Sequence, residues 1–150
     1  MKQSENVLVL NFTVQSMDFK AAGQGASKIK QVLQQIGVDN AVIRRIAIIT
    51  YEAELNIIIH AYKGEIRAII APEFIEIVAE DSGPGISDIE QAMREGFSTA
   101  PSVVREMGFG AGMGLPNIKR SADELEITSE VGVGTKLSAR VYYPCGQGSV

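Results

Sequence analysis

Met107-Gly108-Phe109-Gly110-Ala111-Gly112-Met113-Gly114-Leu115-Pro116-Asn117 is the stretch whose reading decides the fold. Four glycines alternate with other residues, and a proline and a helix-forming segment follow. Glycine admits φ > 0 and, lacking a Cβ, lets the backbone approach a ligand closely. A helix that starts directly after such a loop offers unpaired N–H groups and the positive end of its dipole, both suited to phosphate. Taken alone, the stretch reads equally well as a flexible surface loop. The weight of the argument comes from three further pieces elsewhere in the chain.

Composition narrows the field first. The 150 residues are expected to form a single domain large enough to bury a core. Residues 145–150 are expected to be a disordered tail. Net charge is −4 and the sequence pI is about 5.0, so no broad basic footprint points to nucleic acid. Arg44-Arg45 and Lys119-Arg120 are the local cationic clusters. No segment approaches the roughly 18 consecutive apolar residues of a membrane span. The first residues, Met-Lys-Gln-Ser-Glu-Asn, lack the apolar core of a signal peptide. The one cysteine, Cys145, excludes an intramolecular disulfide and fits a reducing compartment. With one His beside it, a structural zinc site is disfavoured. The expectation is a cytoplasmic protein that binds neither nucleic acid nor membrane.

Residue patterns then give the elements. Val7 to Val14 alternates and is β-branched, so it predicts a strand. Ser16 is read as the N-cap of a helix to Ile36 that stops at Gly37, weakened by Gly23 and Gly25. Asp39 is read as the cap of a long helix from Asn40 to Tyr62, ended by Gly64. Its apolar residues Val42, Ile43, Ile46, Ile49, Ala53 and Ile57 keep helical spacing. Strands over Glu65–Ala71 and Phe74–Glu80 flank a Pro72-Glu73 turn. Asp81 to Ile86 is read as an irregular turn, and Asp88 to Arg94 as a short helix. Glu95 to Gly112 is long for a loop and suggests a lid. A helix from Leu115 to Ala122 leads to a hairpin of Leu125–Ser129 and Thr135–Tyr143. This order predicts an α+β fold: a two-layer α/β sandwich with helices on one face of a mostly antiparallel sheet.

Candidate site residues stand at defined places in that plan. Glu52, Asn56 and His60 follow i, i+4, i+8 spacing and share one helix face among apolar neighbours. Glu52 and Asn56, one turn apart, can share a divalent cation or a water, or the three form a solvated stripe; Glu54 with Tyr51 is read as solvated. Asp81, at a strand end before Gly83 and Gly85, can accept a hydrogen bond from an exocyclic amine, or simply close an Asx-type turn. Thr135, after Gly132-x-Gly134, supports the same site or caps the hairpin.

Glu-x-x-x-Asn on a helix, Asp-x-Gly-x-Gly-Ile, Gly-x-Gly-x-Gly-Leu and Gly-Thr before a strand occur here in that order. The set resembles the Bergerat (GHKL) ATP-binding fold of gyrase B, MutL, histidine kinases and an Hsp-type chaperone. The motifs run from about Ile48 to Thr135, and the expected elements match that fold over nearly the whole chain. Glu-Ala-x-x-Asn-x-x-x-His, Glu-Gly-Phe-Ser-Thr and Gly-Met-Gly-Leu-Pro are similar to the anti-sigma-factor and switch-protein serine kinases. Neither the dimerisation helices of histidine kinases nor a transducer domain is seen.

That resemblance implies ATP and Mg²⁺ as cofactors. It implies Asn56 as the metal ligand, Glu52 as the base orienting or deprotonating the attacking hydroxyl, and Asp81 as the partner of the adenine amine. Gly83, Gly85 and Ile86 would shape the adenine wall, with Thr135 adding its hydroxyl. Gly108, Gly110, Gly112, Met113, Gly114 and Leu115 would wrap the phosphates as the lid closes. His60 would lie near the phosphates or pack at the helix end, and Arg105 would supply lid charge to phosphate or partner, or be solvated. The implied activity is protein-serine/threonine kinase, directed at a STAS-type antagonist, with a sigma factor and a homodimer as further associations. The alternative is a non-catalytic, nucleotide-gated binding module, either an anti-sigma factor or an accessory subunit; slow ATP hydrolysis driving a lid or dimer switch is the third reading. Phe-Ser-Thr where other members have Phe-Thr-Thr, together with the extra glycines, leaves the partner unassigned.

Overall fold

The strand segments pair into one antiparallel sheet. In the computed structural model, which describes residues 7–94 and 114–143, the elements are β1 (Leu8–Gln15), α1 (Gln24–Gln35), α2 (Asn40–His60), β2 (Lys63–Ile70), β3 (Phe74–Ser82), α3 (Ile89–Ala92), α4 (Gly114–Ser121), β4 (Glu124–Glu130) and β5 (Gly134–Tyr142). A 3-10 turn over Phe19–Ala21 precedes α1. Strand order is β1-β2-β3-β5-β4, antiparallel at every pairing. The expected sandwich is what forms. Among the described residues no helix is long and apolar enough to cross a membrane.

Period-two burial explains which face carries the helices. Ile66, Ala68 and Ile70 of β2, Ile75, Ile77 and Ala79 of β3, and Leu137, Ala139 and Val141 of β5 are all buried. They meet Val42, Ile43, Ile46, Ile49, Ala53 and Ile57 of α2, all buried as the helical spacing predicts. Burying each such isoleucine contributes roughly 1.5–3 kcal/mol, so α2 is the central beam of the molecule. Its N-terminus is capped as expected, by Asp39 accepting from the Ala41 N–H at 3.1 Å. The other sheet face mixes charged residues (Glu65, Arg67, Glu76, Glu80, Lys136, Arg140) with a few apolar ones such as Ile69, Phe74 and Val78. There Arg140 bonds Glu76 at 2.8 Å and lies 3.9 Å from the centre of the Phe74 ring.

Four expectations need correction. The helix expected from Ser16 to Ile36 is interrupted: Met17 (φ 61) and Gly23 (φ 92) are left-handed, and Gly23, not Ser16, precedes the regular helix. The long helix ends at His60, because Ala61 is already extended. Gly64 lies inside β2, where a Cβ would come within 2.9 Å of the Ile57 side chain and the Glu80 carbonyl. It is there to let α2 rest on the sheet. Asp81 and Ser82 belong to β3 rather than to a turn, because Thr135 and Gly134 of β5 pair with them.

The fourth correction concerns Glu54, which is not solvated. It is 4% exposed, and its carboxylate accepts the Gly25 N–H at 3.1 Å and the Ala26 N–H at 3.0 Å. Those N–H groups belong to the first turn of α1, which has no intrahelical acceptors for them. A buried carboxylate is costly unless paired, and here one helix supplies the N-terminal cap of another. Burial pushes the Glu54 carboxyl above its ordinary 4.5, and the N–H groups of Gly25, Ala26 and Gly23 pull it partly back. Tyr51 is half-buried beside Gly23.

Candidate functional site

Two clusters of the candidate residues form at the C-terminal half of α2. In the first, Glu52 and Asn56 present their side chains to the first turn of α4. A Cβ placed on Gly114 would lie 3.4 Å from Glu52 Oε1 and 3.6 Å from Asn56 Oδ1. Both groups therefore face the start of a helix whose leading N–H groups lack intrahelical acceptors. Asn117 Nδ2 donates to Glu52 Oε2 at 3.0 Å, and Arg120 donates in turn to Asn117 Oδ1.

The opposite end of α4 is tied to the same helix. Arg45 of α2 donates through Nε to the Ser121 carbonyl and through Nη2 to Asp123, each at 2.8 Å. Asp123 also accepts the Tyr142 N–H at 2.8 Å. That N–H and then Arg45 hold its carboxyl below the ordinary carboxylate value. Leu115, Pro116 and Ile118 are buried between these anchors. The Leu115 side chain is thus part of the core, and it is Gly114 that adjoins the Glu52–Asn56 face.

The second cluster is built on strand register. Asp81 of β3 stands opposite Thr135 of β5, and its Oδ1 accepts the Thr135 N–H at 3.2 Å. Burial pushes the Asp81 carboxyl above its ordinary 3.8, offset in part by that N–H. Gly83 follows and donates its N–H to the Val133 carbonyl at 3.0 Å. A Cβ on Gly83 would come within 3.0 Å of Ala61 Cα, so the end of α2 abuts this wall. Gly85 is left-handed, at φ 77, and turns the chain toward Ile86. Ser129 Oγ accepts the Ile86 N–H at 2.7 Å and lies 2.8 Å from Thr135 Oγ1 and 3.1 Å from the Gly134 carbonyl. One hydroxyl, with one hydrogen and two lone pairs, meets all three neighbours when Thr135 donates to it.

Glu52, Asn56 and Gly114 thus come together, as do Asp81, Gly83, Gly85, Ile86 and Thr135. His60 is half-buried at the last turn of α2, and burial pushes its imidazole below the ordinary 6.5, so the ring is neutral at neutral pH. Gly108, Gly110, Gly112, Met113 and Arg105 lie outside the described residues, as does the expected lid from Glu95 to Gly112. Asn117 and Ser129 were not among the expected site residues. Asn117 had a signal: it stands three residues after Gly114, on the same helix face. Ser129 becomes visible only once the hairpin register sets it opposite Thr135.

A model of the family described as histidine kinase-like ATPase domain matches residues 18–141. The chain is 36% identical over 114 residues to the serine/threonine-protein kinase RsbT of Bacillus subtilis (strain 168), covering 73% of this chain and 80% of that one. It is 30% identical over 138 residues to an anti-sigma F factor of Halalkalibacterium halodurans, covering 87% and 88% of the two chains. An anti-sigma F factor of Caldanaerobacter subterraneus subsp. tengcongensis is 40% identical over 96 residues, covering 61% and 64%.

Proposed function

The chain belongs to the histidine kinase-like ATPase family, and from that premise we propose that it is an ATP-dependent regulatory protein-serine/threonine kinase of the anti-sigma-factor type. Its substrate on this reading is a serine of a STAS-type antagonist. The observation that carries the proposal is the convergence of Glu52 and Asn56 on Gly114 at the start of α4. An amide oxygen, a carboxylate and a helix N-terminus meeting at one place is the donor set that phosphoryl transfer asks for.

Each residue then has a task. Asp81 accepts the adenine amine, while Gly83, Gly85 and Ile86 leave a flat wall for the ring and Thr135 orients the carboxylate through its N–H. Asn56 Oδ1 is a hard, neutral oxygen suited to Mg²⁺. The metal, when bound, would neutralise phosphate charge. The first-turn N–H groups of α4 face the phosphates, with Leu115 fixing the helix by its packing. The glycine-rich stretch that carries Gly108, Gly110, Gly112 and Met113 is the phosphate-wrapping segment the family resemblance implies. His60, neutral and half-buried, stands at the end of the Glu52–Asn56 face. Glu52 takes the proton of the serine hydroxyl as its oxygen bonds to the γ-phosphorus. The bond from that phosphorus to the β–γ bridging oxygen breaks, and ADP leaves.

A second reading is favoured by the names of two of the relatives, both anti-sigma F factors. On it the chain sequesters a sigma factor in a nucleotide-dependent way, with or without transfer. Phosphotransfer from γ-labelled ATP and Mg²⁺ into a lysate of the source cells tests the two. The kinase reading expects one small labelled protein, absent with Glu52→Gln and with Asp81→Asn. No labelled product from protein that binds ATP would overturn it in favour of the binding module.

A further inference from the structure

We propose that Asn117 is a positioning residue, acting through Glu52; the inference rests on the reading of Glu52 as the group that receives the hydroxyl proton. A carboxylate turns about a soft terminal torsion, so a Glu on a helix surface does not by itself aim an oxygen at one point. Here Glu52 Oε2 is held by Asn117 Nδ2 at 3.0 Å, which leaves Oε1 directed at the space beside Gly114. Gly114, Asn117 and Arg120 are spaced three apart and form one stripe along α4. Arg120 donates to the Asn117 carbonyl oxygen, which fixes which end of the amide meets Glu52. An amide so oriented can only donate to the carboxylate.

The anchor is itself anchored. Pro116 and Ile118, on either side of Asn117 in the chain, are buried. Arg45 ties the far end of α4 back to α2 through the Ser121 carbonyl and Asp123. Asn117 is therefore held relative to the helix that carries Glu52, and the bond sets the carboxylate rather than following it. Positioning of this kind acts on the transferring step and leaves ground-state nucleotide binding alone.

The test is single-turnover transfer at saturating Mg·ATP beside equilibrium ATP binding, for the wild type, Asn117→Ala, Glu52→Gln and the double variant. The expected result for Asn117→Ala is a loss of transfer rate of roughly ten- to hundredfold with ATP affinity within about twofold of wild type. In the Glu52→Gln background the same change removes nothing further, because the group it acts through is gone. Asn117→Ala at the wild-type rate, with Glu52→Gln impaired, overturns the proposal alone. So do losses that multiply in the double variant, or a parallel fall in ATP affinity, since a merely structural residue would give those. A wild-type rate from Glu52→Gln, or no transfer by the wild type, overturns the reading of Glu52 and the proposal with it.

Discussion

Gly134 of β5 packs so tightly against Asp81 of β3 that a Cβ on it would fall 2.0 Å from the Asp81 carbonyl oxygen. The next residue, Thr135, supplies the N–H that holds the Asp81 carboxylate. The pairing that extends β3 and the aim of the candidate adenine-binding group are thus one set of contacts. Gly134→Ala is expected to push the strands apart and destabilise the fold by about 1–3 kcal/mol. Urea denaturation checks this: an unchanged midpoint would mean that the close approach carries no constraint.

Gly114 makes the opposite case. A methyl there meets Glu52 and Asn56 at 3.4 and 3.6 Å, ordinary contact distances, and alanine favours a helix by up to about 1 kcal/mol over glycine. Gly114→Ala is therefore expected to melt at or slightly above the wild-type temperature. The methyl nevertheless fills the space between the two polar groups, so ATP affinity is expected to fall by about tenfold or more, an apparent cost of roughly 1.4 kcal/mol. Calorimetric titration beside a thermal melt separates the two effects. A variant that binds ATP as well as the wild type would place the phosphates elsewhere.

Glu54 predicts a pH dependence of stability. Its folded carboxyl lies above the ordinary 4.5, so between that value and the folded one the native state holds the proton more tightly than the unfolded chain. Stability from this group is full below about pH 4.5 and declines as pH rises through the folded value. Subtracting the stability of Glu54→Gln from that of the wild type at each pH isolates it. The difference is expected to shrink as pH rises through that window; a flat or growing difference would mean that the backbone N–H donors match or outweigh burial.

Much of this was legible in the sequence, for physical reasons that differ by element. The six apolar positions of α2 are buried because a helix facing a sheet must repeat its apolar residues every three or four positions. Glu52 and Asn56 share a face for the same reason. Glu54 was misread because its partners, the N–H groups of Gly25 and Ala26, lie 29 and 28 residues away and are set by tertiary packing. The break at Gly23 reads in the sequence only as a weakening, because Phe19, Ala22, Ala26, Ile29 and Leu33 keep helical spacing across it, whereas the backbone there is left-handed, at φ 92. Asp81 looked like a turn residue because Gly83, Pro84 and Gly85 follow at once. Pairing on both sides, with Gly64 of β2 and Thr135 of β5, carries the strand through Asp81 rather than ending it just before.

The central claim is that the Asp81 cluster and the Glu52–Asn56–Gly114 cluster are two halves of one ATP site. Equilibrium binding of Mg·ATP to the wild type, Asp81→Asn and Asn56→Ala tests it most directly. The account predicts a wild type that binds and a loss of about tenfold or more for each variant, with melting temperatures near wild type, because each removes one charge-assisted or metal-facing contact. Wild-type affinity in both variants, or no binding by the wild type, would contradict it.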